Sequence, residues 1–160
     1  MSTPAVGEPA PPVSLSDDTG TIHDLAARRG HWTVLYLYPK DDTPGCTTEA
    51  CEFRDSMPEF AKRDADVWGV SPQGVRSKHA FRAKYDLPFI LLADEDHAVA
   101  EAYGVWVEKQ NYGKTYMGVA RTTFLIDPEG RIAHVWTKVK PEGHAGEVLA
   151  VLDARRNVAA

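Results

Sequence analysis

The run Val34-Leu-Tyr-Leu-Tyr38 is apolar at every position, the pattern of a central strand covered on both faces rather than one. Residues 67–70 and 89–92 repeat the pattern in shorter form and predict two more strands. Between them, 75–85 reads as a helix, and 96–103 as another closed by Gly104, a suitable C-terminal cap. Residues 122–126 and 132–136 predict strands joined by Asp127-Pro-Glu-Gly130, a turn that makes the pair antiparallel. A last helix is predicted over 142–154. At the other end, Pro9-Ala-Pro-Pro12 reads as an extended lead-in. Residues 13–15 and 21–23 flank Asp17-Asp18-Thr19-Gly20 as an N-terminal β-hairpin. Residues 105–119, rich in Lys, Tyr and Gly, follow neither period and stay unassigned. Strands alternating with helices imply βαβ units, and the closing antiparallel pair makes the sheet mixed. The expected class is an α/β sandwich with helices on both faces of a central mixed β-sheet, in one domain spanning residues 4–158.

Composition narrows the function classes. The net charge of −5, with no Lys/Arg cluster to override it, argues against a nucleic-acid footprint. No apolar run approaches the roughly 18 residues of a membrane span. The opening Met-Ser-Thr-Pro-Ala-Val-Gly-Glu lacks a basic start and an apolar signal core, so a cytoplasmic protein is expected. The chain is expected to act as a monomer, with a weak dimer as the alternative. Trp32, Trp68, Trp106 and Trp136 fit either core or interface.

Two cysteines, Cys46 and Cys51, then stand out, because a reducing cytosol disfavours a permanent structural disulfide. Their alternative is to be small, inert core residues. Two thiols separated by four residues are too few for a closed zinc site, and no His forms a ligand motif with them, so no metal is expected. The six histidines receive no catalytic role.

Cys46 ends Tyr38-Pro-Lys-Asp-Asp-Thr-Pro-Gly-Cys46, directly after the apolar strand. Thr43 is a good N-cap and Pro44 suits the first helical position, which makes Cys46 the third residue of a helix. The Thr43 hydroxyl is expected to reach the Cys46 backbone N–H or the region of its sulfur. Gly45 leaves space for a small substrate or merely serves the tight turn. Reactivity requires the thiolate, yet Asp41, Asp42, Glu49 and Glu52 surround this thiol, against only Lys40 and Arg54. A helix N-terminus contributes ~0.3–1 kcal/mol to an exposed anion, less than the ~1.4 kcal/mol of a single pKa unit. A cation must therefore come from elsewhere in the fold. Arg121 is the candidate: if strand 122–126 runs antiparallel to 34–38, Arg121 faces Cys46 at the sheet edge where α/β proteins place their sites. Snorkelling or pairing with a carboxylate is its alternative.

Cys51 lies ~7.5 Å along the helix axis from Cys46. Disulfides need Cα atoms within about 7 Å, so any bond between the two requires the first helical turns to unwind. Its alternative is a core position on the helix face.

The segment Tyr38-Pro-Lys-Asp-Asp-Thr-Pro-Gly-Cys-Thr-Thr-Glu-Ala-Cys51-Glu-Phe-Arg-Asp55 closely resembles the active-site region of the bacterioferritin comigratory protein/peroxiredoxin Q family. Tyr103-Gly-Val-Trp106, Tyr112-Gly-Lys-Thr-Tyr-Met-Gly118 and Arg121-Thr-Thr-Phe-Leu-Ile-Asp127 extend the likeness in the family's order across nearly the whole chain. The resemblance implies a thioredoxin-like fold. It also implies a thiol peroxidase acting on hydrogen peroxide and organic hydroperoxides, without metal or organic cofactor, reduced by thioredoxin or a similar dithiol donor. In such enzymes the residue matching Cys46 is the peroxidatic nucleophile, and Cys51 matches the resolving cysteine of many members. Pro39, Thr43 and Arg121 match the site's shell: Pro39 shields the sulfur, Thr43 hydrogen-bonds the peroxide, and Arg121 stabilises thiolate and oxyanion. The Gly-Gly-Leu-Gly insertion and C-terminal Tyr-Phe of overoxidation-sensitive members are missing, and no cysteine follows residue 51. Two rivals stay open: a dithiol oxidoreductase, which predicts Cys-x-x-Cys, and a redox-sensing module that reacts slowly with peroxide.

Overall fold

The structure, a computed structural model, describes residues 3–159. Strand β3 (Trp32–Leu37) is buried at all six positions, as its unbroken apolar run requires. Its side chains alternate between two cores: Val34 and Tyr36 point into one, Leu35 and Leu37 into the other. β3 pairs parallel with β4 (Ala65–Ser71), which pairs parallel with β5 (Ile90–Ala93). On its other side β3 pairs antiparallel with β8 (Thr122–Ile126), followed by β9 (Ile132–Trp136). The hairpin of β1 (Ser14–Ser16) and β2 (Ile22–Asp24) closes the far edge, giving the order β2-β1-β5-β4-β3-β8-β9.

Helices α1 (Pro44–Lys62), α2 (Val75–Tyr85) and α4 (His144–Ala159) cover one face through Phe53, Phe60, Phe81, Val148 and Leu152. The short α3 (Ala98–Ala102) and a 3-10 turn at Leu25–Arg28 cover the other. This is the thioredoxin-like three-layer sandwich with a central mixed sheet and an N-terminal hairpin. The Pro-rich lead-in runs beside β9, with the Gly7 N–H on the Ile132 carbonyl at 2.8 Å. Trp32 and Trp68 are buried in the core, and Trp106 and Trp136 pack half-buried against it.

Element boundaries move by a few residues from their expected places. The helix expected over 96–103 shortens to five residues because the Asp94 carboxylate caps the Val99 and Ala100 N–H groups. The final helix continues past residue 154 to Ala159. The unassigned stretch 105–119 is a separate antiparallel hairpin, β6 (Trp106–Asn111) and β7 (Lys114–Val119). Its polar residues face solvent on most positions, which erased the apolar alternation that marks a strand.

One close approach fixes the spacing of the central strands. Gly69 on β4 lies opposite Tyr36, and a Cβ there would sit 2.8 Å from the Tyr36 Cζ and hydroxyl oxygen. The ring cannot retreat, being stacked on Tyr38 and on Phe53 with centroids 5.3 and 4.8 Å away. Gly69→Ala is therefore expected to destabilise the fold by about 1–3 kcal/mol, the usual cost of overpacking, measured by urea denaturation.

Candidate active site

The antiparallel register of β3 and β8 sets Leu37 opposite Thr122, so the chain leaving β3 and the chain entering β8 share one sheet edge. Cys46 follows the first and Arg121 precedes the second. They meet: Arg121 Nη2 donates to Cys46 Sγ at 3.3 Å. The same guanidinium donates through Nη1 to Glu49 Oε1 at 2.7 Å. Cys46 and Glu49 are three residues apart on α1, so one helix face offers both groups to one cation. Both are buried, at 2% and 1% exposure, so the contact is scarcely screened by water.

Gly45 has a different use from the substrate space expected of it. A Cβ there would lie 3.2 Å from Arg121 Nη2 and 3.5 Å from Pro141 Cγ. The missing side chain makes room for the arginine.

The cap also differs from expectation. Thr43 has the extended conformation of an N-cap, and its carbonyl accepts the Thr47 N–H at 2.8 Å. Its hydroxyl makes no cap bond to the Cys46 N–H, donating instead to the Lys40 carbonyl at 2.9 Å. The tight turn over residues 40–43 presents that carbonyl first. Pro39 is half-buried, its carbonyl accepting from Gln73 Nε2 at 3.2 Å.

The acidic surroundings are answered residue by residue. Asp41 pairs with Lys78 at 2.8 Å, and Asp42 with Lys84 at 2.8 Å and the Tyr85 hydroxyl at 2.7 Å. Glu52 accepts the Gly143 N–H at 2.8 Å. Glu49, counted from the sequence as a charge hostile to the thiol, is the second ligand of Arg121. Its spacing of three from Cys46 was the signal available, but only the fold puts a cation between them.

Burial pushes the Glu49 carboxyl up to about 7; Arg121 pulls it back and Glu52 adds to the rise. Burial also works against the Arg121 charge, but Glu49 and Cys46 outweigh it and hold the guanidinium above its ordinary range. The pair is thus unequal. Arg121 stays charged throughout, and Glu49 is the partner that titrates.

The outer hairpin reaches the same neighbourhood. Burial, then the Arg121 charge, lower the Lys109 ammonium, and Cys46 opposes them. His144 is buried beyond Glu52, its Nε2 at 2.8 Å from Thr123 Oγ1. Cys51 lies half-buried on the same unbroken α1 as Cys46, and both thiols are free.

The AhpC/TSA family matches residues 6–135. The chain belongs to this family. Within it, the chain is 50% identical to peroxiredoxin Bcp of Bacillus subtilis (strain 168) over 147 residues, 92% of this chain and 94% of that one. It is 44% identical to peroxiredoxin Bcp of Escherichia coli (strain K12) over 149 residues, covering 93% and 96%. Among solved structures, a cysteine mutant of Xylella fastidiosa PrxQ superposes with a TM-score of 0.92 at 38% identity, covering 98% and 99%. A trapped intermediate/ligand complex of the Xanthomonas campestris bacterioferritin comigratory protein, concerned with its alkyl peroxide reduction activity, gives 0.85 at 47% identity over 89% and 91%. These relatives are peroxiredoxins, and the expected class of enzyme, a peroxidase, stands.

Two predictions follow from the geometry around Arg121. Gly45→Ala crowds the guanidinium beside Sγ and is expected to slow Cys46 oxidation by roughly severalfold, read by stopped-flow fluorescence, with little loss of stability. The second concerns pH. The unfolded Glu49 carboxyl titrates near 4.5 and the folded one near 7. Its favourable contribution is therefore complete below pH 4.5 and is lost as pH rises through 7. Chemical denaturation between pH 4 and 8 should show this decline in the wild type and a flatter profile in Glu49→Gln.

Proposed function

We propose that Cys46 is the peroxidatic nucleophile of this peroxidase, acting on hydrogen peroxide and organic hydroperoxides, and that Cys51 resolves it. The observation that carries the reading is the Arg121 guanidinium held 3.3 Å from the buried Cys46 Sγ. A cation donating to the sulfur faces the negative charge that an attacking sulfur carries.

The thiolate attacks the terminal peroxide oxygen and the O–O bond breaks. Sulfur keeps that oxygen as a sulfenic acid, and the departing alkoxide or hydroxide takes a proton to leave as alcohol or water. Arg121 stabilises both the thiolate and the oxyanion that replaces it. Thr43 has a single hydroxyl proton, given to Lys40, so towards a peroxide it can only accept. It thereby orients the oxygen that bears hydrogen, the one the sulfur attacks. Pro39 shields the sulfur from water.

Cys51 then attacks the sulfenic sulfur, forming a Cys46–Cys51 disulfide and releasing water. The intact α1 keeps the two thiols apart, so its first turns open for this step. Thioredoxin or another dithiol donor reduces the disulfide. Residues 4–158 act as one domain, as a monomer in the cytoplasm, with no cofactor. Among the described residues no helix is long and apolar enough to cross a membrane.

Cys46→Ser is expected to abolish peroxide consumption; retained turnover would overturn the assignment. Arg121→Gln should lower the oxidation rate on the order of 10²-fold. After one equivalent of peroxide, mass spectrometry should find a 46–51 disulfide in the wild type and a persistent sulfenic acid in Cys51→Ser. A sulfenic acid persisting in the wild type would make this a one-cysteine enzyme.

A further inference from the structure

One fully buried charge has no part in these steps. Lys78, on α2, has no solvent exposure, and its ammonium protons reach Asp41 Oδ2 at 2.8 Å, Ser71 Oγ at 2.5 Å and the Gln73 carbonyl at 3.3 Å. Asp41 is as fully engaged: Oδ1 accepts from the Tyr38 hydroxyl at 2.5 Å, and Oδ2 also accepts from Ser77 at 2.7 Å. Gln73 ties in the backbone, accepting the Asp41 N–H at 3.0 Å and donating to the Pro39 carbonyl at 3.2 Å. Burial pulls the Lys78 ammonium below its ordinary range, and Asp41 opposes that pull.

A buried ion pair is a poor source of net stability, since desolvation consumes most of the attraction. What it can do is specify one geometry. Five bonds of this network end on residues 38–41, the segment that carries the chain from β3 to the cap of α1. A second tie follows at once: Asp42, at φ 58°, holds Lys84 and Tyr85 at the end of α2. Farther along, Arg54 Nη1 donates to the Tyr85 carbonyl at 2.8 Å. The stretch between Asp42 and Arg54, with both cysteines in it, is thus fastened to α2 at each end.

We propose that Lys78 is a positioning residue for Cys46, locking residues 39–43 to α2 through Asp41 so that this wall of the site stays in place when α1 opens. The opening itself rests on the reading of Cys51 given above; the positioning of Cys46 for attack does not. With the wall fixed, unwinding is confined to the first turns of α1, where the Glu49–Arg121 and Glu52–Gly143 contacts must part. Resealing these turns then returns Cys46 to an unchanged site.

The test replaces both charges, Lys78→Met with Asp41→Asn, so that neither is left buried alone. Expected are cooperative unfolding, at least tenfold slower Cys46 oxidation by hydrogen peroxide in stopped flow, and a displaced pH profile of that rate. A double variant that unfolds cooperatively yet keeps the wild-type rate and pH profile would overturn the proposal. Ser77→Ala, which removes one hydrogen bond and no charge, should slow oxidation less but in the same direction, and an unchanged rate there counts against the proposal if the double variant does not fold. In the wild type, peptide mapping first establishes whether the 46–51 disulfide forms, which judges Cys51 alone. Where it forms, hydrogen exchange should rise over residues 47–51, while the Asp41 amide, bonded to Gln73, and the β4 amides of 69–71 stay protected. Loss of protection at the Asp41 amide would refute the anchor while leaving the disulfide chemistry intact.

Discussion

One guanidinium serves two anionic sites, and much of the surrounding structure is arranged to permit it. Arg121 reaches Cys46 Sγ through one nitrogen and Glu49 through another. That geometry requires β8 to lie antiparallel against β3, α1 to begin immediately beyond the sheet edge, and Gly45 to lack a side chain. Removing any of these moves the cation relative to the sulfur. Because Cys46 and Glu49 are buried, a displacement of about an ångström changes the interaction more than it would between exposed groups.

The shared cation also alters the meaning of the nearby carboxylates. Four acids crowd Cys46 in sequence, and an unpaired negative field there would oppose a thiolate. Each is met by a partner from beyond α1: Lys78 and Lys84 from α2, Arg121 ahead of β8, and the Gly143 N–H ahead of α4. These partners are long-range in sequence, so folding itself assembles the site's electrostatics. Burial of Glu49 brings its titration near neutral pH.

The site also contains a tension between chemistry and stability. α1 is continuous through both cysteines, and its inner face carries Cys46, Ala50 and Phe53 into the core. On the proposed mechanism, that face must partly leave the core once in each cycle. Such an opening is tolerable because it is short and because its flanks are held from α2. Local opening of this sort costs less than global unfolding whenever its boundaries stay fixed.

The seven strands of the main sheet, their order of appearance, the helix start at Thr43-Pro44 and the meeting of Cys46 with a distant Arg121 were legible in the chain. They depend on local periodicity and on a register rule. The hairpin of β6 and β7 was not legible, because solvent-facing polar residues interrupt the alternation in both strands. Nor were the true neighbour of Gly45, the acceptor of the Thr43 hydroxyl or the second role of Glu49. A sequence lists which groups are charged or small, and spacing tells which of them share a helix face. Which cation meets which anion, and how dry the meeting place is, depends on contacts between residues dozens of positions apart. Those are decided only when the sheet closes, since burial is what converts a nearby charge into a strong interaction.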